Sequence, residues 1–247
     1  MRSIVILIVG GLLMTSLACS VSFPNIEFDG ETIRGSGNMV EETREVSGFS
    51  SVTLAGFGNL YIEVGETESL RIEAEDNLID RITAEVRDNV LEIGWERGFV
   101  PVPSESVNYY LTVERLDTVT LDGAGNIEAE GLMADAFEVV VNGAGNVEIG
   151  ELDVESLRVE ISGAGDIDVS GTTETQTVML NAAGNYNAED LECQEAMVEI
   201  NGLGSATVRA SDTLDATING AGSINYYGDP TVRQSINGVG DINRVGE

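Results

Sequence analysis

Seven short phrases in this 247-residue chain place oxygen-bearing side chains at regular intervals. Asn126, Asn146, Asp166, Asn185, Ser205, Ser223 and Asp241 each close a phrase that begins with a small polar residue and continues Gly-x-Gly, with Ala182 replacing the first glycine once. Amide and carboxylate oxygens are ligands for hard cations, so a column of them could take up Ca²⁺ weakly. Glycine- and aspartate-rich repeats that bind calcium run at a period of nine. Here the phrases start 20, 20, 19, 20, 18 and 18 residues apart, and Asn outnumbers Asp. The spacing therefore favours a corner at which stacked amides hydrogen-bond to one another. No cofactor is expected, and no metal beyond that weak Ca²⁺ uptake.

Other reactive groups are sparse. The chain has no His, and all 12 of its basic residues are Arg. The usual partners that activate a nucleophile or shuttle a proton are thus missing. Of the two cysteines, Cys193 falls in a column with Ala134 and Val154 and reads as a buried small hydrophobe. Cys19 follows an apolar run, Ile4 to Met14, that is too short to span a bilayer and stands after Arg2. Such a run reads as the core of a signal peptide, 1–18. Leu17-Ala18-Cys19 is similar to a bacterial lipobox, although Ser16 stands where Leu is usual, and cleavage after Ala18 without lipid is the alternative. Acylation of Cys19 would anchor the exported chain in a membrane at the cell envelope or surface. Trp95 and Phe99, in a stretch with Pro101 and Pro103, read as a loop: either a ligand-contact site or a cap over one end of the core.

The elements that must carry these groups follow from two superimposed periods. Within a segment, apolar residues alternate, the mark of a strand. Between segments they fall into columns about twenty residues apart, such as Ile127, Val147, Ile167, Tyr186, Ala206, Ile224 and Ile242. A coil of short strands, each turn stacked on the last about 4.8 Å away, satisfies both periods. A single turn cannot bury its apolar edge, so stacking is what makes the core. The residue between the glycines is expected to point into the tight inside of the corner. Residues 19–45 read as a tether, 46–120 as irregular strands with a hairpin turning at Asp88-Asn89, and 121–247 as regular turns. From Gly56 to Gly123 there is room for about three turns with a projecting hairpin. Tyr226 is expected to fill the end of the core.

These phrases, following Val46-Ser-Gly-Phe49 and Val52-Thr-Leu-Ala-Gly-Phe-Gly-Asn59-Leu60, resemble the GIN-type domain, an auto-transporter adhesin head domain. The resemblance covers roughly 46–242. It implies an all-β fold, a right-handed parallel β-helix (β-solenoid), at a bacterial cell surface, and it brings no catalytic residues.

A formal charge of −31 repels nucleic acid and anionic lipid. It keeps strand edges from associating wrongly, and it also suits a salt-rich habitat. Three functions fit: a non-catalytic surface module with an extracellular glycan or protein ligand, a polysaccharide lyase or glycosidase on the same scaffold, and a homo-oligomer joined through the solenoid ends. The first is preferred, because the acidic residues lie scattered along strand faces.

Overall fold

A computed structural model describes residues 31–246. The leader and Cys19 lie outside them. Within them the chain is a β-solenoid of stacked coils, as the two periods require. The expected tether ends sooner than 45. β1 (Glu31–Arg34) and β2 (Met39–Arg44) already belong to the fold, β2 pairing antiparallel with a later strand. Little of β2 is buried, so it carries no alternation to read, and backbone pairing alone recruits it.

β3 (Ser51–Leu54) and β4 (Phe57–Val64) form the first turn of the coil. The chain then departs through β5 (Ser69–Glu75), a 3₁₀ turn at Ile79–Arg81, and the hairpin of β6 (Ile82–Arg87) and β7 (Val90–Trp95). The hairpin turns where expected, at Asp88 (φ 50°) and Asn89 (φ 69°), in the geometry of a type I′ turn. β8 (Phe99–Val102), β9 (Asn108–Val113) and β10 (Thr118–Leu121) follow.

The pairing shows that this excursion does not make three successive turns. β7 and β9 lie against β3 and β4 on one side, both in parallel. β10 lies against β3 on the other side, as does β11 (Ala124–Glu130) against β4. The chain between β4 and β10 therefore folds back beneath the first turn. Gly56 and Gly123 become direct neighbours across 67 residues of sequence.

From β11 the coil is regular. Its strands are β12 (Met133–Val141), β13 (Ala144–Ile161), β14 (Ala164–Leu180), β15 (Ala183–Ala188), β16 (Leu191–Ile200), β17 (Leu203–Arg209), β18 (Thr213–Ile218), β19 (Ala221–Tyr227), β20 (Thr231–Ile236) and β21 (Val239–Gly246). Every pairing among them is parallel, and Ala144↔Ala164 or Val159↔Val178 keep equivalent residues opposite one another. The inward columns are fully buried: Val119, Val139, Val159, Val178 and Val198 in one, Ile127, Val147 and Ile167 in another.

The glycine elbows hold the turns together. The Gly145 N–Cα–C unit lies so close to the previous turn that a Cβ there would sit 1.7 Å from the carbonyl oxygen of Gly125. The Ala144 N–H donates to Gly123 O at 2.9 Å, so the ladder continues through the corner. The residue between the glycines does not point inward. Ala124, Ala144, Ala164 and Ala183 are exposed, Leu203 is 62 % exposed and Val239 75 %. The strand resumes at that residue, and it is the missing glycine Cβ atoms that face the neighbouring turn.

In the last described turn two of the inward columns become polar. Gln234 stands after Ala216, and Arg244 stands after Tyr226. Arg244 reaches back to Asp229 at 3.1 Å. Tyr226 is part-buried against the core, as expected of an end-filler.

Candidate functional site

The fold-back places five strands side by side in the order β2, β5, β9, β4, β11. Alternation then lines up their outward residues: Thr43, Arg71, Tyr110, Tyr61 and Glu128, each opposite the next. Tyr61 and Tyr110 stack with ring centroids 5.2 Å apart at 19°. The Arg71 guanidinium covers the other face of Tyr110 at 3.8 Å. This separation is that of a cation–π contact.

Glu73 completes the cluster. Arg71 donates to it at 2.6 Å, the Tyr110 hydroxyl at 3.0 Å and Asn108 at 3.4 Å. Burial pushes the Glu73 carboxyl up, but these hydrogen bonds and the Arg71 charge outweigh it and hold it below its usual range. Tyr110 is pushed up, by burial and then by the neighbouring carboxylate. Over this cluster opens a cavity of about 480 Å³, lined among others by Tyr61, Tyr110, Arg71, Glu63, Glu128 and Glu130.

A buried carboxylate ties the excursion down. Glu75 is 1 % exposed and accepts from Gly37 N at 2.7 Å and Ser104 N at 3.0 Å, and from the Ser104 hydroxyl. Burial raises its pKa, the Ser104 and backbone hydrogen bonds lower it, and the balance lies below the usual value. It acts as a clasp between the N-terminal strands and the 103–105 segment.

The residues singled out from the sequence fall elsewhere. Several corner residues hydrogen-bond from turn to turn. Asn126 donates to Asn59 at 3.0 Å, Asn59 donates to Asn108 at 3.1 Å, and Asn185 donates to Asp166 at 2.8 Å. The backbone of Asp166 donates to Asn146, and that of Ser205 donates to Asn185. Ser223 and Asp241 continue the same register. In the companion column, Asn201 donates to Asn181 at 3.0 Å, Asn219 to Asn201 at 2.8 Å and Asn237 to Asn219 at 2.9 Å. The side-chain oxygens of Asn59, Asn108, Asn146, Asp166, Asn181, Asn185, Asn201 and Asn219 are thus engaged with neighbouring turns.

Trp95 and Phe99 do not stand on a loop. Trp95 ends β7 and stacks on Phe57 at 4.6 Å and 15°, with Phe99 at its edge. It lies over the Gly56 elbow, where a Cβ would meet the indole at 2.6 Å. Phe99–Val102 is a strand despite Pro101, because it pairs only with β1 in a two-stranded sheet, where an edge position tolerates proline. Cys193 is 6 % exposed, its thiol donates to Glu195 O at 2.9 Å, and burial pushes its pKa up. It is a packed thiol, as its column predicted.

The tyrosine pair escaped sequence reasoning. The visible signal was the outward phase: in Asn108-Tyr109-Tyr110 one ring must face out, and Tyr61 lies outward between Leu60 and Ile62. That the two strands are neighbours follows only from the fold-back.

A family model described as "Putative auto-transporter adhesin, head GIN domain" matches residues 48–230. No curated protein matches. Among solved structures, a putative adhesin from Bacteroides fragilis NCTC 9343 is 28 % identical, with a TM-score of 0.83, covering 86 % of this chain and 100 % of that one. A putative adhesin from Parabacteroides merdae ATCC 43184 and a putative lipid binding protein from Parabacteroides distasonis ATCC 8503 are each 23 % identical. Their TM-scores are 0.68 and 0.69, with 87 % of this chain and all of theirs covered, and at that identity they share the fold.

Proposed function

The chain belongs to the family described as putative auto-transporter adhesin, head GIN domain, and from that membership we propose that it is a non-catalytic binding module of the bacterial cell surface. In this reading Cys19 carries the lipid that anchors it, and 19–30 leads to the solenoid. Among the described residues no helix is long and apolar enough to cross a membrane.

The observation that carries the proposal is the cavity over Tyr61 and Tyr110. It stands where β9 meets β4 and β11 and is lined by stacked rings, whereas the clefts of about 580 and 570 Å³ on the regular turns are lined by no aromatic side chain. Aromatic rings with a few converging polar groups are the usual makings of a recognition site. The same cluster speaks against glycosidase chemistry. A general acid needs a carboxyl held protonated near neutral pH. Glu73, bonded to the cavity's tyrosine, is shifted the opposite way, below its usual range.

The test has two parts. Mass spectrometry of the protein purified from membranes should find Cys19 as an acylated N-terminus, and an unmodified Cys19 would remove the anchor. Beads coated with the chain should adhere to cells or to immobilised surface material, with no turnover of polysaccharide substrates. Turnover lost on Glu73→Gln would overturn the non-catalytic reading.

A further inference from the structure

The column through the cavity is nearly symmetrical about its tyrosine pair, and only one side is filled. On the β5 side, the Tyr110 face is covered by the Arg71 guanidinium, which Glu73 holds at 2.6 Å and Glu41 flanks at 3.5 Å. On the β11 side, Tyr61 looks toward Glu128, with Glu63 and Glu130 in the adjacent column. The same pieces recur there, an aromatic face and carboxylates, and among the described residues no arginine lies over Tyr61. The cavity opens at this place.

The carboxylates on that side also stand in like-charge rows that no arginine interrupts. Glu63 stands opposite Glu130, and Glu128, Glu148 and Asp168 stand opposite one another along three successive turns. Like charges placed directly opposite on neighbouring strands destabilise a sheet. On another outward face two acidic residues stand opposite arginines: Glu138 with Arg158 at 3.1 Å, and Asp215 with Arg233 at 3.5 Å. Among the described residues none of the five carboxylates beside Tyr61 has such an ion pair. The cluster is therefore repulsive as it stands, beside a part-buried ring that lines an open volume.

Resting on the binding-module reading, we propose that the Tyr61 side of the cavity receives an organic cation from a partner, the guanidinium or ammonium of an Arg- or Lys-bearing protein segment. The cation stacks on Tyr61 as Arg71 stacks on Tyr110. Glu128 and Glu130 take the part that Glu73 and Glu41 play for Arg71. The Glu128–Glu148–Asp168 line draws further basic residues of the same segment along the solenoid axis. A carboxylate line of this kind gives an association rate that falls with added salt.

The experiment is calorimetric titration of the full chain with a flexible peptide carrying arginines between glycines and serines. The same peptide with citrulline at each arginine is the neutral control. The arginine peptide should bind one to one, and more weakly as salt rises, while the citrulline peptide should not bind. Tyr61→Ala leaves the net charge unchanged and should weaken binding by about tenfold, the size of one part-desolvated cation–π contact. Tyr61→Phe should restore it. Glu199→Gln, on the other face, should leave it unaltered. Should Tyr61→Ala not fold, the Glu128→Gln, Glu130→Gln double variant reads the same loss.

Equal binding of the citrulline peptide, or equal affinity in Tyr61→Ala, overturns the proposal. So does a neutral oligosaccharide that occupies the cavity when the arginine peptide does not. If no peptide binds and coated beads still adhere, the cation site falls and the binding module stands. If neither binds, both fall.

Discussion

The regular turns from β10 onward and the excursion between β4 and β10 solve the same problem, burying one edge of a narrow coil, in different ways. In the regular turns the answer is distributed. Every turn repeats an elbow, an aliphatic column and an amide rung, so each residue has equivalents above and below. In the excursion the answer is concentrated. One indole over Gly56, one clasp at Glu75 and one tyrosine pair tie down strands whose antiparallel pairings have no counterpart in the regular turns. Repetition gives rigidity without individuality, and the site that could tell one partner from another arises where the repetition is interrupted.

The sharpest way to break the comparison is at an elbow. Gly145→Ala would drive a Cβ to 1.7 Å from Gly125 O, against backbone of the preceding turn and no flexible side chain that could yield. A loss of about 4 kcal/mol or more, or failure to fold, is expected in urea denaturation. Gly131→Ala, at φ 70° in open space, should cost only about 1 kcal/mol. Equal losses would mean that conformational freedom rather than close approach governs the elbows.

Next comes the aliphatic column. Ile161→Ala, fully buried between Val141 and Leu180 opposite, should cost about 3 kcal/mol. A cost under 1 kcal/mol would show that the turns close over the gap.

Glu75→Gln tests the concentrated region. The clasp should weaken by about 2 kcal/mol at neutral pH. The sign with pH follows from its lowered folded pKa. The carboxylate's contribution is fully present above its unfolded value near 4.5 and is lost as pH falls through the folded one. The parent chain should therefore lose stability on acidification below about 4.5 more steeply than Glu75→Gln. Parallel curves would deny the clasp its charge.

The smallest effect is expected in the amide rungs. Asn201→Ala removes one rung of a ladder that continues on both sides, so about 0.5 kcal/mol is expected. A loss of several kcal/mol would show that the ladders act cooperatively.

The repeating half of this architecture was legible because its constraints are local and recur. A glycine demanded by close approach appears in every turn, and so does a column of β-branched residues. The excursion was legible in its pieces, such as the turn at Asp88-Asn89, but not in its placement. That β7 and β9 lie beneath β3 and β4 is a long-range choice that no window of sequence encodes. Two expectations fail for different reasons. A corner looks tight from the sequence, which points the residue between the glycines inward, whereas the tightness lies between turns, at the glycines themselves. The prolines near Trp95 and Phe99 suggest a loop, although an edge strand needs no donor at that position. Tyr61 and Tyr110 could be assigned to the outer surface one at a time, but their pairing depended on the fold-back.

In-register stacking of turns has a consequence for how such a chain can change. Asn142 and Ser162 enter equivalent elbows, so excising 143–162 would splice one corner onto the next with each column unbroken. Duplicating the same stretch would do the reverse. The span between the two ends of the molecule can thus be adjusted in steps of about 4.8 Å, by unequal recombination alone, without disturbing the tyrosines at one end or Gln234 and Arg244 at the other. Length is in this sense a heritable setting, separable from recognition.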